Sequence, residues 1–303
     1  SRAFLSCMTA LEFGVRADTA EVYVPRTAAA ARDENAEAPQ SESVYVPAAP
    51  QNTAPVLSAA DKAATLTINN DTDYEVDVAA CLAEDTHIRA EGEGPQVLVF
   101  HTHASESYTP DVAFPYTPTE PERTTDTRYN VVRVGDELCS ALEERGIETV
   151  HLRSLFDTPT YAGSYDRSLE AVEQALAEYP SVKVVIDLHR DSILTDEGVA
   201  YRTSCTIDGT ETAQLMFVVG TDAGGLYHPD WRENLSFAST LQYALNRAYP
   251  SLMRPLNLRT QRFDQHASPG SLLIEVGSSG NTLPEALSAV RLFADVLADE
   301  MTG

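Results

Sequence analysis

Three apolar segments of the sequence carry residues that are able to do hydrolytic chemistry. The segments are residues 97–100, 184–188 and 272–276. Continuous apolar segments of this length are typical of buried strands in a parallel sheet. Ligands of such sheets bind beyond the carboxyl ends of the strands, so the polar residues at these ends predict one site. The candidate residues are His101, His103 and Glu106 after the first segment, His189 at the end of the second, and Glu275 within the third.

A zinc ion suits these side chains. A catalytic zinc site takes three nitrogen or oxygen ligands from the protein and keeps one position open, and His103, Glu106 and His189 supply such ligands. Residues two apart in an extended segment face the same side, so His101 is an alternative ligand beside His103. Bound zinc lowers the pKa of a water molecule to about 7 and polarises a carbonyl group. The sequence thus predicts a metal-dependent hydrolase, the alternative being histidines that only form hydrogen bonds in turns.

Glu275 is the candidate catalytic carboxylate. A carboxylate inside an apolar segment is costly to bury without a partner or a task. Hydrolysis needs a group that takes the proton of the attacking water and passes it to the leaving nitrogen. The alternative is a structural carboxylate paired with Arg190, Arg259 or Arg262. Arg190 is also a candidate donor to the oxyanion, and Ser105 is a candidate that orients the ligands or the substrate.

The composition of the chain excludes several classes of partner and site. The chain has 303 residues with a hydrophobic content of 43%, which is enough for a large core. Its formal net charge of −25 excludes nucleic acid as an expected partner, because phosphates require basic surfaces. The 4 cysteines lie far apart without a CxxC pair, so neither a zinc ribbon nor a disulfide framework is expected.

Strands that alternate with helices predict an α/β fold with a largely parallel, mixed sheet and helices on both faces. The domain organisation is predicted as an N-terminal segment at 1–25, a linker or disordered arm at 26–60, and a folded domain at 61–303. The arm is rich in Ala, Pro and acidic residues, which bury too little apolar surface to fold. The predicted helices are 131–145, 169–179, 237–249 and one from residue 282, and the main predicted strands are 97–100, 147–152, 182–188, 200–206, 213–220, 258–263 and 272–276.

In these residues and the segments around them, the chain resembles the stage II sporulation protein P family of peptidoglycan hydrolases. Several segments carry the resemblance, in the same order along the chain, between about residue 65 and the end. Their combination is far more specific than any one of them. The segments are His-Thr-His-Ala-Ser-Glu-Ser-Tyr at 101–108, Asn130–Gly135, Asp187–Ser192, and the segment from Arg262 to Pro284.

The family is in turn similar to the zinc-dependent N-acetylmuramoyl-L-alanine amidases of the AmiC type. This similarity implies an amidase-like catalytic domain at 61–303 and a zinc cofactor. It also implies that His103 and His189 are the histidine ligands and that Glu275 is the catalytic carboxylate.

The metal ligand that comes between the two histidine ligands along the chain, here called the middle ligand, departs from the pattern of those amidases. They take a glutamate from the start of the following helix, where this sequence has Asn130 and Val131. Glu106 is the expected substitute, and His101 is its rival.

The resemblance also implies a place and partners. Members of the family are described as amidases and endopeptidases of peptidoglycan that act during engulfment in sporulation, with a partner lytic transglycosylase. They are anchored outside the cytoplasmic membrane, so we expect membrane anchor proteins as further partners. The sequence begins at Ser1 rather than Met, and we expect an anchoring segment outside it. The competing functions are a non-catalytic wall-binding or scaffolding protein on the same fold, and another metal hydrolase of wall material.

Overall fold

The computed structural model describes residues 22–23, 58–86, 88–118 and 122–303. Nearly all of the predicted N-terminal segment and most of the predicted arm at 26–60 lie outside the described residues. The bounds of these parts and of the folded domain stay predictions. Within the described ranges, no helix has both the length and the apolar character that crossing a membrane requires.

Ten strands and six α-helices form within the described residues. The strands are β1 (Val22–Tyr23), β2 (Ile68–Asn70), β3 (Val97–Phe100), β4 (Thr149–Leu152), β5 (Val184–Asp191), β6 (Ser204–Ile207), β7 (Thr210–Ala213), β8 (Leu215–Val219), β9 (Leu256–Leu258) and β10 (Ser271–Ser278). The helices are α1 (Ala59–Ala63), α2 (Val78–Cys81), α3 (Val131–Glu144), α4 (Ser164–Glu178), α5 (Trp231–Ala248) and α6 (Leu283–Thr302).

Eight strands form one mixed sheet in the order β1-β4-β3-β5-β10-β8-β9-β2. The central strands β4, β3, β5 and β10 are parallel to one another, whereas β1 pairs antiparallel with β4 and β8 pairs antiparallel with β10. Strands β6 and β7 form a separate hairpin. The predicted largely parallel, mixed sheet is confirmed.

Alternation along the central strands divides the interior into two cores. Val97 and Val99 of β3 face the large core that α3, α5 and α6 cover. Leu98 and Phe100 face the opposite side, where they join a smaller core with α4. The predicted helices on both faces are therefore confirmed, and every residue of a central strand is assigned to the α3 side or the α4 side by its position.

The predicted strand at 258–263 is wrong. The observed strand β9 ends at Leu258, and the chain beyond it pairs with the loop after β8 instead of extending the sheet. In this loop the amide of Thr221 donates to the carbonyl of Gln261 at 3.1 Å. Phe263 then takes a φ of 53°, which ends the extended conformation. This departure places Phe263 and the residues around it beside the candidate site.

Candidate metal centre

Three side chains meet at the carboxyl end of the sheet. One ligand atom each of His103, Glu106 and His189 lies within 4.8 Å of the other two, and all three residues are buried. Nδ1 of His189 is 3.3 Å from one carboxylate oxygen of Glu106, and Nδ1 of His103 is 3.6 Å from the other. Two imidazoles and one carboxylate are a donor set that fits a catalytic zinc ion. The structure thus brings together the three residues predicted as ligands, and their binding of a metal stays a prediction.

The turn after β3 places Glu106 at the start of helix α3. Its backbone pairs with Arg123 in an isolated antiparallel bridge. Its carbonyl oxygen accepts from the amide of Val131, the first residue of α3, at 2.9 Å. Asn130 caps the helix, since its side chain accepts from the amide of Val132. Glu106 therefore lies next to the helix start, the place from which the resemblance implied the middle ligand.

His101 does not join the cluster. Strand β3 ends at Phe100 and the chain turns over residues 102–105, so the expectation that His101 and His103 face the same side fails. Nδ1 of His101 donates to the carbonyl of Leu188 at 2.7 Å, and its Nε2 is 2.8 Å from Nε2 of His151. This fully buried pair lies on the α3 side of the sheet, whereas the cluster lies on the α4 side.

Helix α3 approaches this histidine pair through Gly135. A Cβ atom at Gly135 would lie 2.6 Å from Nε2 of both His101 and His151. A Gly→Ala change inside a helix ordinarily stabilises a protein by up to about 1 kcal/mol. At Gly135 we expect the opposite sign, a net loss of about 1–3 kcal/mol, because two buried, hydrogen-bonded rings block the methyl group.

Urea unfolding of Gly135→Ala followed by circular dichroism measures this effect. Ser140→Ala changes an exposed position of the same helix and serves as the control, with a free energy of unfolding at or slightly above that of the parent protein. A stabilised Gly135→Ala variant would show that the close contact carries no cost.

Carboxylates surround the ring of His189. The Asp187 carboxylate accepts from the amide and the hydroxyl of Thr102 at 2.9 and 2.7 Å, which fixes its orientation. Its Oδ1 is 2.8 Å from Nε2 of His189. Burial alone would lower the pKa of His189, but Asp187 and Glu106 outweigh it and raise this pKa well above the usual range. A carboxylate at the outer nitrogen of a histidine ligand is the arrangement that orients such rings in metal sites.

Glu106 is ionised in this environment. Burial alone would raise its pKa, but hydrogen bonds from His103 and His189 outweigh burial and hold the pKa well below the usual range. The centre therefore combines a buried anionic carboxylate with two imidazoles. A metal cation that binds here would replace the proton of His189 and meet the negative charge of Glu106.

Glu275 lies beside His189 on the neighbouring strand. The two residues are direct partners in the parallel register of β10 and β5, so their side chains share the α4 side. Glu275 is half-buried, and its Oε2 is buried without a hydrogen-bond partner among the described residues. Burial raises the pKa of Glu275 to about 8. Within the described chain it forms no salt bridge with an arginine, so the structural alternative for Glu275 has no support.

Arg190 holds the backbone around the site. Its guanidinium donates to the carbonyl oxygens of Ser107, Glu122 and Asp191 at 2.9, 2.7 and 3.3 Å. Its backbone amide donates to Oε2 of Glu106 at 3.2 Å. These contacts engage the Arg190 side chain with backbone carbonyls, and its role as an oxyanion donor stays a prediction. The backbone amide of Arg190 also positions Glu106.

Ser105 belongs to a polar cluster behind the metal centre. Its hydroxyl donates to Oδ2 of Asp157 at 2.5 Å and accepts from Nη1 of Arg123 at 2.9 Å. Among the described residues, no hydrogen bond joins the Ser105 side chain to His103 or His189. Its position supports the orientation of Arg123.

The rim of the centre is formed by residues that no sequence pattern predicted. Nη2 of Arg123 is 3.8 Å from Oε1 of Glu106, and its guanidinium stacks over the ring of Tyr161 at 5.2 Å. Tyr161 stacks on His103 with ring centroids 4.4 Å apart and is 56% exposed. Tyr165 meets His103 edge-on at 5.4 Å. These residues come from loops and a helix start far apart in the sequence, and no spacing pattern connects them to the histidines.

The chain is similar to several known proteins. The family model described as stage II sporulation protein P (SpoIIP) matches residues 17–298. Stage II sporulation protein P of Bacillus subtilis (strain 168) is 32% identical over 219 residues, which cover 69% of this chain and 51% of that protein. The chain thus spans about half the length of this relative.

Solved structures of amidases are also similar. The N-acetylmuramoyl-L-alanine amidase AmiC2 of Nostoc punctiforme superposes with a TM-score of 0.39 at 13% identity, over 69% of this chain and 97% of that chain. The catalytic domain of the N-acetylmuramoyl-L-alanine amidase CwlV of Bacillus (Paenibacillus) polymyxa var. colistinus gives a TM-score of 0.40 at 14% identity, over 68% and 96%. The family match extends over nearly all of the sequence and confirms the resemblance, so this chain belongs to the stage II sporulation protein P family.

Proposed function

We propose that this protein is a zinc-dependent N-acetylmuramoyl-L-alanine amidase that hydrolyses peptidoglycan. The observation that carries the proposal is the buried cluster of His103, Glu106 and His189 with Glu275 on the adjacent strand. A three-ligand cluster beside an unpaired carboxylate has the parts that hydrolysis of an amide requires. Membership in a sporulation family supports the cell wall as the target.

The residues of the site have separate roles in the proposed reaction. His103, Glu106 and His189 would hold the zinc ion, with Asp187 orienting the His189 ring. When bound, zinc supplies a Lewis acid and makes water a nucleophile at neutral pH. Glu275 takes a proton from the attacking water and passes it to the leaving nitrogen. Arg123 and Tyr161, at the exposed rim above His103, contact the substrate.

The wider setting is proposed from the family resemblance. It includes endopeptidase activity, a role in engulfment during sporulation, and a lytic transglycosylase partner that acts on the sugar strands. It also includes a location outside the cytoplasmic membrane, with the domain anchored through a segment beyond this sequence and membrane anchor proteins nearby. The net charge of −25 is consistent with partners other than nucleic acid.

Product analysis tests the bond that is cut. We expect purified peptidoglycan to release intact stem peptides with free L-alanine amino termini, because an amidase cuts between muramic acid and the peptide. Mass spectrometry of the soluble fraction measures this. Release of acetate or of single D-alanine residues alone would identify a deacetylase or a carboxypeptidase, and a metal-loaded protein without products in the presence of its partner would identify a scaffold.

A further inference from the structure

A cleft of about 490 Å³ opens beside the metal centre on the α4 side of the sheet. Its volume is within the range of small-ligand sites. Tyr165 forms a wall between the cleft and the metal centre. The centroid of its ring is 5.4 Å from that of His103 and 6.0 Å from that of Phe263. The residues that characterise the cleft are Tyr165, Leu169, Leu226, Arg262, Phe263 and Asp264.

Backbone geometry builds the far side of this cleft. The positive φ of Phe263 turns the chain out of the line of β9 and presents Arg262 and Phe263 to the cleft. A non-glycine residue in this conformation needs support from its surroundings. The following residues supply that support, since Asp264 accepts from the hydroxyl of Ser168 at 2.7 Å and Gln265 bonds β8 through the carbonyl of Val218 at 2.8 Å.

Arg262 gives the cleft its positive charge. It is the one basic residue among those that line the cleft. Its Nη1 donates to the carbonyl of Tyr227 at 3.2 Å, and its buried Nε has no hydrogen-bond partner among the described residues. A guanidinium with donors to spare matches a carboxylate in shape and charge. In a chain with a net charge of −25, an anionic ligand requires such a local cation.

Two acidic residues line the cleft beside Arg262, of which Asp166 is exposed to solvent and Asp264 is buried. Asp264 is buried, and burial raises its pKa to about 7, so a substantial fraction of this carboxyl group is neutral near neutral pH. Thr260 and Gln261 add polar groups, and Tyr165, Leu169, Leu226 and Phe263 supply the apolar walls. The cleft therefore fits a ligand that combines apolar side chains with a negatively charged group.

The sugar strands and the stem peptides of peptidoglycan differ in the negative charge that they carry. The lactyl carboxyl group of muramic acid is used in the amide bond to the peptide, so a substituted sugar strand carries no charge there. Stem peptides carry free carboxylates and short aliphatic side chains. We propose that the cleft is the subsite for the stem peptide and that Arg262 binds one of its carboxylates. This inference rests on the proposed function, because it takes the substrate to be peptidoglycan.

The pairing of Arg262 with a carboxylate of the stem peptide can be tested by removing the charge from the substrate and, separately, from the enzyme. The substrates are a disaccharide tripeptide with free peptide carboxylates and the same compound with those carboxylates amidated. We expect the parent protein to prefer the free acid by about tenfold or more in kcat/KM, and Arg262→Gln to lose that preference through slower hydrolysis of the free acid alone. Arg259→Gln is the control, since Arg259 pairs with Asp71 outside the cleft and should leave the preference unchanged.

An equal loss on both substrates, or the absence of any preference in the parent protein, would overturn the assignment of Arg262. A binding experiment distinguishes this outcome from a failure of the proposed function. Calorimetry on Glu275→Gln, titrated with the free tripeptide L-Ala-γ-D-Glu-L-Lys, should show binding that weakens about tenfold in the double variant with Arg262→Gln. If the tripeptide binds in this way but neither substrate is hydrolysed, the cleft assignment holds and the amidase proposal fails. If a peptide-free sugar strand binds and the tripeptide does not, the cleft assignment is wrong.

Discussion

Glu106→Gln should abolish stoichiometric zinc binding and hydrolysis together, while His101→Asn should keep both. Glu106 is the carboxylate between His103 and His189, and its ionised form supplies the negative charge that draws a cation into the buried centre. Glutamine keeps the volume of this side chain and removes the charge. Loss of a partner that only orients a ligand costs about 10- to 100-fold in metal affinity, so loss of a ligand should exceed that range.

His101→Asn is the matched comparison because it changes the rival ligand. His101 lies in the same segment but bonds the Leu188 carbonyl and the His151 ring on the opposite side of the sheet. The variant should lose stability, since it breaks a buried pair, and yet keep a full metal content. Metal analysis by mass spectrometry after gel filtration measures both variants. Zinc loss in His101→Asn together with retention in Glu106→Gln would reverse the assignment of the middle ligand.

Glu275→Gln should lower kcat by about 10² to 10⁴ with little change in metal content or in the folded structure. Glu275 is the direct strand neighbour of His189, and its Oε2 has no hydrogen-bond partner in the part of the chain that the structure describes. A glutamine there fills the same space but cannot accept and return a proton. The free energy of unfolding should stay the same or rise, because the change removes the cost of burying a carboxylate without a partner.

Glu285→Gln provides the control for burial of a carboxylate as such. Glu285 is a buried glutamate whose carboxylate pairs with Arg202 and accepts from the side chain of Asn281. Its substitution should lower stability and leave kcat near the parent value. Kinetics on purified peptidoglycan and thermal unfolding together distinguish the two glutamates. Full activity of Glu275→Gln would reject the proposed proton transfer.

Strand ends and residue types made much of the site predictable. The apolar segments that end near His103, His189 and Glu275 are the parallel strands that any such sheet must bury, and parallel strands deliver their carboxyl ends to one edge. The register between β5 and β10 then pairs Glu275 with His189, a contact that sequence spacing does not contain. Asp187 was detectable, since it lies two residues before His189 in the same strand and must share its face.

Other features follow from geometry that no local pattern encodes. The point at which β3 ends decides that His101 faces α3 and that His103 faces the cluster. A difference of one or two residues in a strand boundary is sufficient for this reversal. Arg123 and Tyr161 reach the centre through loops, whose course depends on long-range contacts such as the bonds of Arg190 to the carbonyls of Ser107 and Glu122.

Metal content measured beside chelator-sensitive hydrolysis is the most direct test of the central claim. The pure protein should hold one zinc ion per chain and release stem peptides from peptidoglycan. Removal of the metal with a chelator should stop that release, and added zinc should restore it. Glu106→Gln in parallel should show neither the metal nor the release. Release that continues at full rate after complete removal of metal would contradict a metal centre built from His103, Glu106 and His189.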